Sequence, residues 1–256
     1  MDQILNILNH SRTSCVTVIS KSGNSKGSGA FIGDGNILTC FHVIGDLKIQ
    51  GNSINSSIYP DLQIILPSGE VVDASVVSVP TSSDVNPLLY DFAILRLKNR
   101  PKNNYSVLTL ATENEKLEVG DDVVFSGYPL ATPGMVTHRG MVSGTDAAFS
   151  LIFVQASINK GNSGGALLNN QGHVVGIISM REGGISKALQ ELRIEIDKTS
   201  SFGKVEFMEI DPLQATKAII QTLDQYISTG IGYARSVKYV REYLEKNPDL
   251  LTKGKF

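Results

Sequence analysis

Residues 161–175 read Gly161-Asn162-Ser163-Gly164-Gly165-Ala166-Leu167-Leu168-Asn169-Asn170-Gln171-Gly172-His173-Val174-Val175. The residues after the serine settle the architecture. A short apolar run, Ala166-Leu167-Leu168, gives way to Asn169-Asn170-Gln171-Gly172, and apolar residues resume at Val174. That pattern is strand, turn, strand. A serine on a strand-to-helix turn would need a helical period directly behind it, and none begins there.

The same alternation extends in both directions from this hairpin. Upstream, Ser14-Cys15-Val16-Thr17-Val18-Ile19-Ser20 is β-branched and apolar. Gly29-Ala30-Phe31-Ile32 leads through Asp34-Gly35, a strong hairpin signal, into Ile37-Leu38-Thr39. Leu62–Leu66, Val71–Val77, Phe92–Leu97, Asp122–Phe125, Gly140–Ser143 and Leu151–Val154 continue the series, and His173–Ser179 closes it. Many short strands separated by Gly, Asn and Pro turns predict a β-barrel or sandwich.

Near residue 184 the period changes. Ile185, Leu189, Leu192 and Ile196 recur at helical spacing. A second helix is expected between Asp211, a candidate N-cap followed by Pro212, and Gly230, with Ile219, Ile220, Leu223, Tyr226 and Ile227 as its stripe. A last helix is expected over Ser236–Lys246. The Met1–His10 segment sets Ile4, Leu5, Ile7 and Leu8 on one face of a short helix.

The chain has 256 residues, enough for one large domain or two small ones. Its formal net charge is -2, so general attraction to nucleic acid or to an anionic membrane is not expected. The N-terminus is acidic and interrupted by Asn6, unlike a secretory signal. No apolar stretch approaches the roughly 20 residues of a membrane span. These features predict a cytoplasmic protein. Cys15 and Cys40 lack Cys-x-x-Cys spacing and read as buried thiols rather than as a disulfide or metal ligands.

Three places could carry chemistry. Ser163 stands between glycines, where a substrate can approach closely and backbone N–H groups can converge on a developing oxyanion. The plain alternative is a flexible glycine turn. His42 directly follows the apolar strand Ile37-Leu38-Thr39-Cys40-Phe41, where a structural histidine is the plain alternative. Asp91 enters the strand Phe92-Ala93-Ile94-Leu95, where it could equally be a cap. Taken together they run His, Asp, Ser. That is the chain order of the chymotrypsin triad, whereas α/β-hydrolases run Ser, Asp, His.

With these motifs the chain resembles the trypsin-like serine peptidases, and within them the HtrA/Deg branch. The residues carrying the resemblance are Gly27-Ser28-Gly29, Ile37-Leu38-Thr39 with His42-Val43, and Asp91-Phe92-Ala93-Ile94-Leu95. They continue with Gly127-Tyr128-Pro129, Gly140–Ser143, Ile158–Leu167 and Gly230-Ile231-Gly232-Tyr233-Ala234. The resemblance implies an all-β chymotrypsin-like fold of two antiparallel six-stranded barrels. The first barrel would span 12–112 behind an N-terminal helical segment, 1–11. The second would use 113–182 with 230–256, which includes a C-terminal helix. Residues 183–229 would be a helical insertion near the substrate cleft.

The resemblance also implies roles. Ser163 would be the nucleophile, His42 its general base and Asp91 the residue that orients His42. The N–H groups of Gly161 and Ser163 would form the oxyanion hole. Ser179 would pair with the substrate backbone. Ser157, Met180, Arg181 and Ile231 would surround the primary specificity pocket, which has no acid at its base. Small or medium apolar side chains are therefore expected there, not Lys or Arg. The substrate would be protein or peptide, and no metal or cofactor is required. Asn162 stands where secreted relatives carry an Asp that pairs with a new N-terminus, so activation by propeptide removal is not expected.

Two other readings fit parts of the pattern. Gly161–Gly165 also matches the Gly-x-Ser-x-Gly elbow of esterases, but the hairpin behind it argues against that fold. A gated or catalytically silent module, acting as a peptide binder or as a switch activated by a protein partner docking on 183–229, is the second. His10 and His138 read as surface or hydrogen-bonded structural residues.

Overall fold

Short β-branched runs broken by Gly, Asn and Pro favour strands over helices, and strands make up most of this chain. The computed structural model describes residues 2–33, 35–50, 53–79, 90–130, 132–181, 187–199, 211–226 and 230–252. The first half contains α1 (Asp2–Ser14), β1 (Cys15–Ser20), β2 (Ser25–Gly33), β3 (Asn36–Thr39), α2 (Phe41–Ile44), β4 (Gly45–Gln50), β5 (Ser53–Ile58), β6 (Leu62–Ile65), β7 (Val71–Ser78) and β8 (Ala93–Leu97). The second contains β9 (Asp122–Gly127), β10 (Val136–Asp146), β11 (Leu151–Gln155), β12 (Ala166–Leu168), β13 (Val174–Arg181), α3 (Lys187–Thr199), α4 (Pro212–Tyr226), β14 (Ile231–Ser236), α5 (Lys238–Lys246) and α6 (Asp249–Thr252).

The strands close into two antiparallel barrels of six, as expected. Their orders are β1-β2-β3-β8-β7-β6 and β10-β11-β14-β13-β12-β9. Closure removes the exposed edges that an open sheet would leave. The hairpin behind Ser163 is β12–β13. Asn169 N–H donates to His173 O at 3.0 Å, and Leu167 pairs with Gly176. Val16, Val18, Phe31, Ile37, Leu38 and Ile94 fill the first barrel; Phe125, Val154, Leu167 and Ile177 fill the second. The two interiors join into one apolar cluster.

Two helices tie the barrels together. α1 leads directly into β1 of the first barrel but lies against β9, β10 and β12 of the second. Ser11 Oγ is 2.8 Å from Ser126 Oγ, and Arg12 donates to Thr137 Oγ1 at 3.1 Å. α5 follows β14 of the second barrel and reaches back: the Tyr243 hydroxyl bonds Ser78 Oγ on β7, and Arg241 donates to Ala111 O.

Some boundaries differ from expectation. The N-terminal helix continues to Ser14. The last helix begins at Lys238, because Ser236 is held in the sheet by its N–H bond to Ser150 O at 2.8 Å and its pairing with Gly176. Asp211 does cap α4, its Oδ1 accepting from Leu213 N–H at 2.9 Å. The hairpin β4–β5, the helix α2 and the helix α6 carry no signal that the sequence patterns above had picked out. Asp34, Ile185 and Ile227 lie outside the described residues, as do the side chains of Tyr226, Met180 and Arg181.

α3 and α4 pack on each other around Ile196 and Ile220, with Leu189 and Leu213 at the margin. This small cluster is separate from the main core. Among the described residues no helix is long and apolar enough to cross a membrane.

Candidate active site

Three elements bring His42, Asp91 and Ser163 to the seam between the barrels. β3 runs Asn36–Thr39 and turns at Cys40 into the one-turn helix α2, which carries His42 between the buried residues Phe41 and Val43. The imidazole is thereby turned outward, with 45% of its side chain exposed. β8 pairs with β3, Ala93 opposite Thr39, and this sets Asp91 beside His42.

The Asp91 carboxylate is heavily bonded. Oδ2 lies 2.8 Å from His42 Nδ1, and Oδ1 accepts from His42 N–H at 3.1 Å. Ser179 Oγ donates to Oδ2 at 2.8 Å. Burial alone would raise this carboxyl, but the bonds from His42 and Ser179 outweigh it and hold it below its ordinary value. For His42, desolvation favours the neutral ring. The hydrogen bond and charge of Asp91 prevail and hold the imidazole above its ordinary 6.5. Nδ1 is occupied by Asp91, so Nε2 is left to face the cleft.

The acid is also clamped by aromatic rings. Tyr90, just before it, lies 4.4 Å from the Tyr239 ring of α5. Phe92, just after it, meets Tyr243 edge-on at 5.8 Å. The C-terminal helix of one barrel thus fixes the acid-bearing segment of the other. This is a long-range contact with no local signal in the sequence.

Ser163 sits on the second barrel. Its loop is stitched to the first barrel by Ser28, a fully buried residue of β2. Ser28 Oγ donates to Gly161 O at 2.7 Å and accepts from Tyr128 N–H at 2.9 Å, while Ser28 N–H donates to Ser163 O at 2.7 Å. Gly164 has φ +91°, and a Cβ there would stand 2.0 Å from Ser28 O. Only glycine permits that approach.

Peptide planes fix where the amides point. In a trans peptide the C=O and N–H are antiparallel. Lys160 O accepts from Leu130 N–H at 2.8 Å, so the Gly161 N–H points away from that bond. Asn162 O accepts from Gly165 N–H at 3.0 Å, which turns the Ser163 N–H likewise. Among the described residues neither amide has a protein acceptor. Gly161 holds φ +97°, and a Cβ on it would meet Tyr128 O at 2.4 Å.

A cleft of about 360 Å³ lies beside these groups, lined by His42, Gly161, Ser163, Lys26, Tyr59 and Leu130 among others. Tyr59 and Leu130 carry no motif, and nothing in the sequence singled them out.

The hydroxyl of Ser163 donates to Ser179 O at 3.0 Å, and not to the imidazole. Ser179 therefore touches both the acid and the serine, through its hydroxyl and its carbonyl respectively. No sequence pattern foretold either contact. The four residues expected around a specificity pocket share one end of the second barrel. Ile231 pairs with Gln155, Met180 with Tyr233 and Arg181 with Gly232, and Ser157 lies two residues beyond Gln155. Ser157 is exposed and Ile231 is 37% exposed, so both line an open surface.

Asn162 is fully buried, and both polar atoms of its side chain lack a partner among the described residues. His10 bonds Val107 O at 3.2 Å. His138 instead stacks on Phe125 at 4.7 Å, with Nε2 buried and unpaired among the described residues, and burial holds it below its ordinary value. Cys15 and Cys40 are free and buried. Desolvation pushes Cys15 up to about 12 and raises Cys40 as well.

Comparison with known proteins places the chain. Residues 27–177, more than half of the chain, match the trypsin-like peptidase domain. The chain belongs to that family. Among trypsin-like peptidases it is 32% identical over 170 residues to a putative protease, Do-like 14, of Arabidopsis thaliana, a match covering 62% of this chain and 36% of that one. It is 31% identical over 159 residues to a Rhizobium meliloti protein named as a DegP-like periplasmic serine endoprotease, with 60% and 27% covered. A protein of Lactococcus lactis named serine protease Do-like HtrA is 32% identical, with 60% and 36% covered. The chain thus spans about a quarter to a third of the length of the curated relatives it matches. In fold it is similar to the crystal structure of a serine endoprotease from Yersinia pestis, with a TM-score of 0.59 and 23% identity over 99% of this chain and 67% of that one.

Proposed function

We propose that this chain is a serine endopeptidase that cleaves protein or peptide substrates through an acyl-enzyme. The observation that carries the reading is the convergence on one cleft of a carboxylate-bound imidazole, a glycine-flanked serine and two outward-facing amides. Rotation of the Ser163 side chain away from Ser179 O brings Oγ toward His42 Nε2. His42 takes the proton as Oγ attacks the scissile carbonyl, and Asp91 stabilises the imidazolium. The Gly161 and Ser163 amides receive the oxyanion. His42 then delivers the proton to the leaving amine, and water repeats the sequence to release the acyl group. The open end marked by Ser157 and Ile231, with Met180 and Arg181 on the adjoining strand, offers no acid of its own and favours apolar side chains before the cut bond.

One observation favours a second reading. The serine hydroxyl rests on Ser179 O, so the resting state is latent until a substrate or partner turns it. The insertion suits such a partner: it has its own small core and exposes Ile219, Ile194, Leu192 and Leu223.

Labelling with a fluorophosphonate, read by intact mass, tests both. One adduct on the wild type and none on Ser163→Ala is the expected result. A folded wild type that takes no label would exclude a competent free enzyme and leave the gated reading.

A further inference from the structure

Cys40 lies directly beneath the His42–Asp91 pair, and the proposed hydrolysis makes no use of it. Its thiol sulfur, a ring nitrogen of His42 and a carboxylate oxygen of Asp91 all lie within 4.8 Å of one another. The sulfur is completely buried and 3.3 Å from Ile178 O. His42 and Asp91 are already 2.8 Å apart. A thiolate, an imidazole and a carboxylate form the mixed donor set that suits Zn²⁺. Tetrahedral zinc with metal–ligand distances of about 2.0–2.3 Å holds its donors roughly 3–4 Å from one another. The cluster needs only small shifts to reach that spacing.

We propose that Cys40, His42 and Asp91 form an inhibitory site for a thiophilic divalent cation, with Zn²⁺ as the fitting ion. The ion enters from the cleft, where the imidazole is exposed. It takes the place of the hydrogen between His42 Nδ1 and Asp91 and draws Cys40 in as the third ligand. Protons balance simply. The thiol releases its hydrogen to solvent as it becomes thiolate, the carboxylate is already ionised, and the neutral imidazole moves its hydrogen from Nδ1 to Nε2. Solvent completes the coordination. The metal is an inhibitor here and not a cofactor: a ring carrying hydrogen on Nε2 cannot accept the Ser163 proton, and Asp91 no longer orients it.

Loss of peptidase activity rests on the function proposed above, but metal binding does not, so the two can be tested apart. The probe for binding is Cd²⁺ titrated into the full chain carrying Ser163→Ala, which retains all three ligands. A thiolate-to-cadmium charge-transfer band saturating at one equivalent is expected, and it should vanish when Cys40→Ala is added. Cys15, also buried and free, remains in both chains as the internal control. In parallel, Zn²⁺ is titrated against peptide hydrolysis by wild type and Cys40→Ala, each normalised to its own metal-free rate. Inhibition of the wild type, reversed by a chelator, and at least about tenfold weaker in Cys40→Ala, is expected, a tenfold weakening being about 1.4 kcal/mol. Absence of the cadmium band in a folded Ser163→Ala chain would overturn the site. So would equal zinc inhibition of wild type and Cys40→Ala. A cadmium band in a wild type that never hydrolyses peptide keeps the site and defeats the peptidase reading.

Discussion

The His42–Asp91 side of the cleft and the Ser163 side are built to different rules. On the first barrel Asp91 accepts bonds from the His42 ring, the His42 amide and Ser179, and aromatic rings of α5 grip both its neighbours. Both carboxylate oxygens there are committed. On the second barrel the Ser163 hydroxyl is parked on a carbonyl and the two outward amides have no protein acceptor among the described residues. One half is prewired, while the other keeps its hydrogen-bonding capacity unspent. Preorganised donors left unused in the ground state act where charge develops, which is where they accelerate a reaction.

Substitutions can disturb this contrast from either side. Asp91→Asn cuts the prewired half at its centre: the amide cannot hold the imidazole in the right tautomer. A fall in kcat of about 10⁴-fold is expected, with the fold intact by circular dichroism. Gly161→Ala attacks the open half. A side chain at φ +97° facing Tyr128 O must displace the loop and its amide. A kcat loss of about 10²–10³-fold with little change in KM is the expected outcome of steady-state kinetics.

Ser179→Ala probes the join between the halves, since it removes a hydroxyl from Asp91 but keeps the carbonyl that holds Ser163. One charge-assisted bond of about 1.5–3 kcal/mol corresponds to roughly a ten- to hundredfold drop in kcat/KM. An unchanged rate would mean that His42 alone suffices to hold the acid.

The smallest effect is in the pH profile. Asp91 holds His42 above 6.5, and only the neutral ring can act as base. At pH 6.5 more than half of the rings are protonated, so kcat/KM should stand below half of its alkaline plateau. Asp91, shifted downward, stays ionised throughout. A midpoint below 6.5 would contradict the coupling.

Much of the molecule was legible in the sequence where signals are local. The Asn169–Gly172 turn with apolar runs on both sides marked β12 and β13, and the Asp211-Pro212 start marked α4. Hidden parts were of two kinds. The β4–β5 hairpin gives only a one-sided signal: Leu47 and Ile49 alternate with Asp46, Lys48 and Gln50, but β5 is mostly Ser and Asn, with Asn55 and Ser53 opposite Lys48 and Gln50. Other contacts depend on chain segments far apart: Ser179 on Asp91, Ser28 on Gly161, and Tyr239 and Tyr243 beside the acid. No period or motif announces such pairs. The orientation of Ser163 belongs here too, because a motif names a nucleophile but does not set its rotamer.

The two helices that cross the seam have a mechanical consequence. α1 belongs to the first barrel by connection and rests on the second, and α5 does the reverse. They act as a pair of opposed straps, so the barrels cannot swing apart without unfastening both straps together. The cleft therefore keeps a fixed gauge. In the peptidase reading proposed above, whatever segment reaches Ser163 must fit an opening that the two straps hold constant.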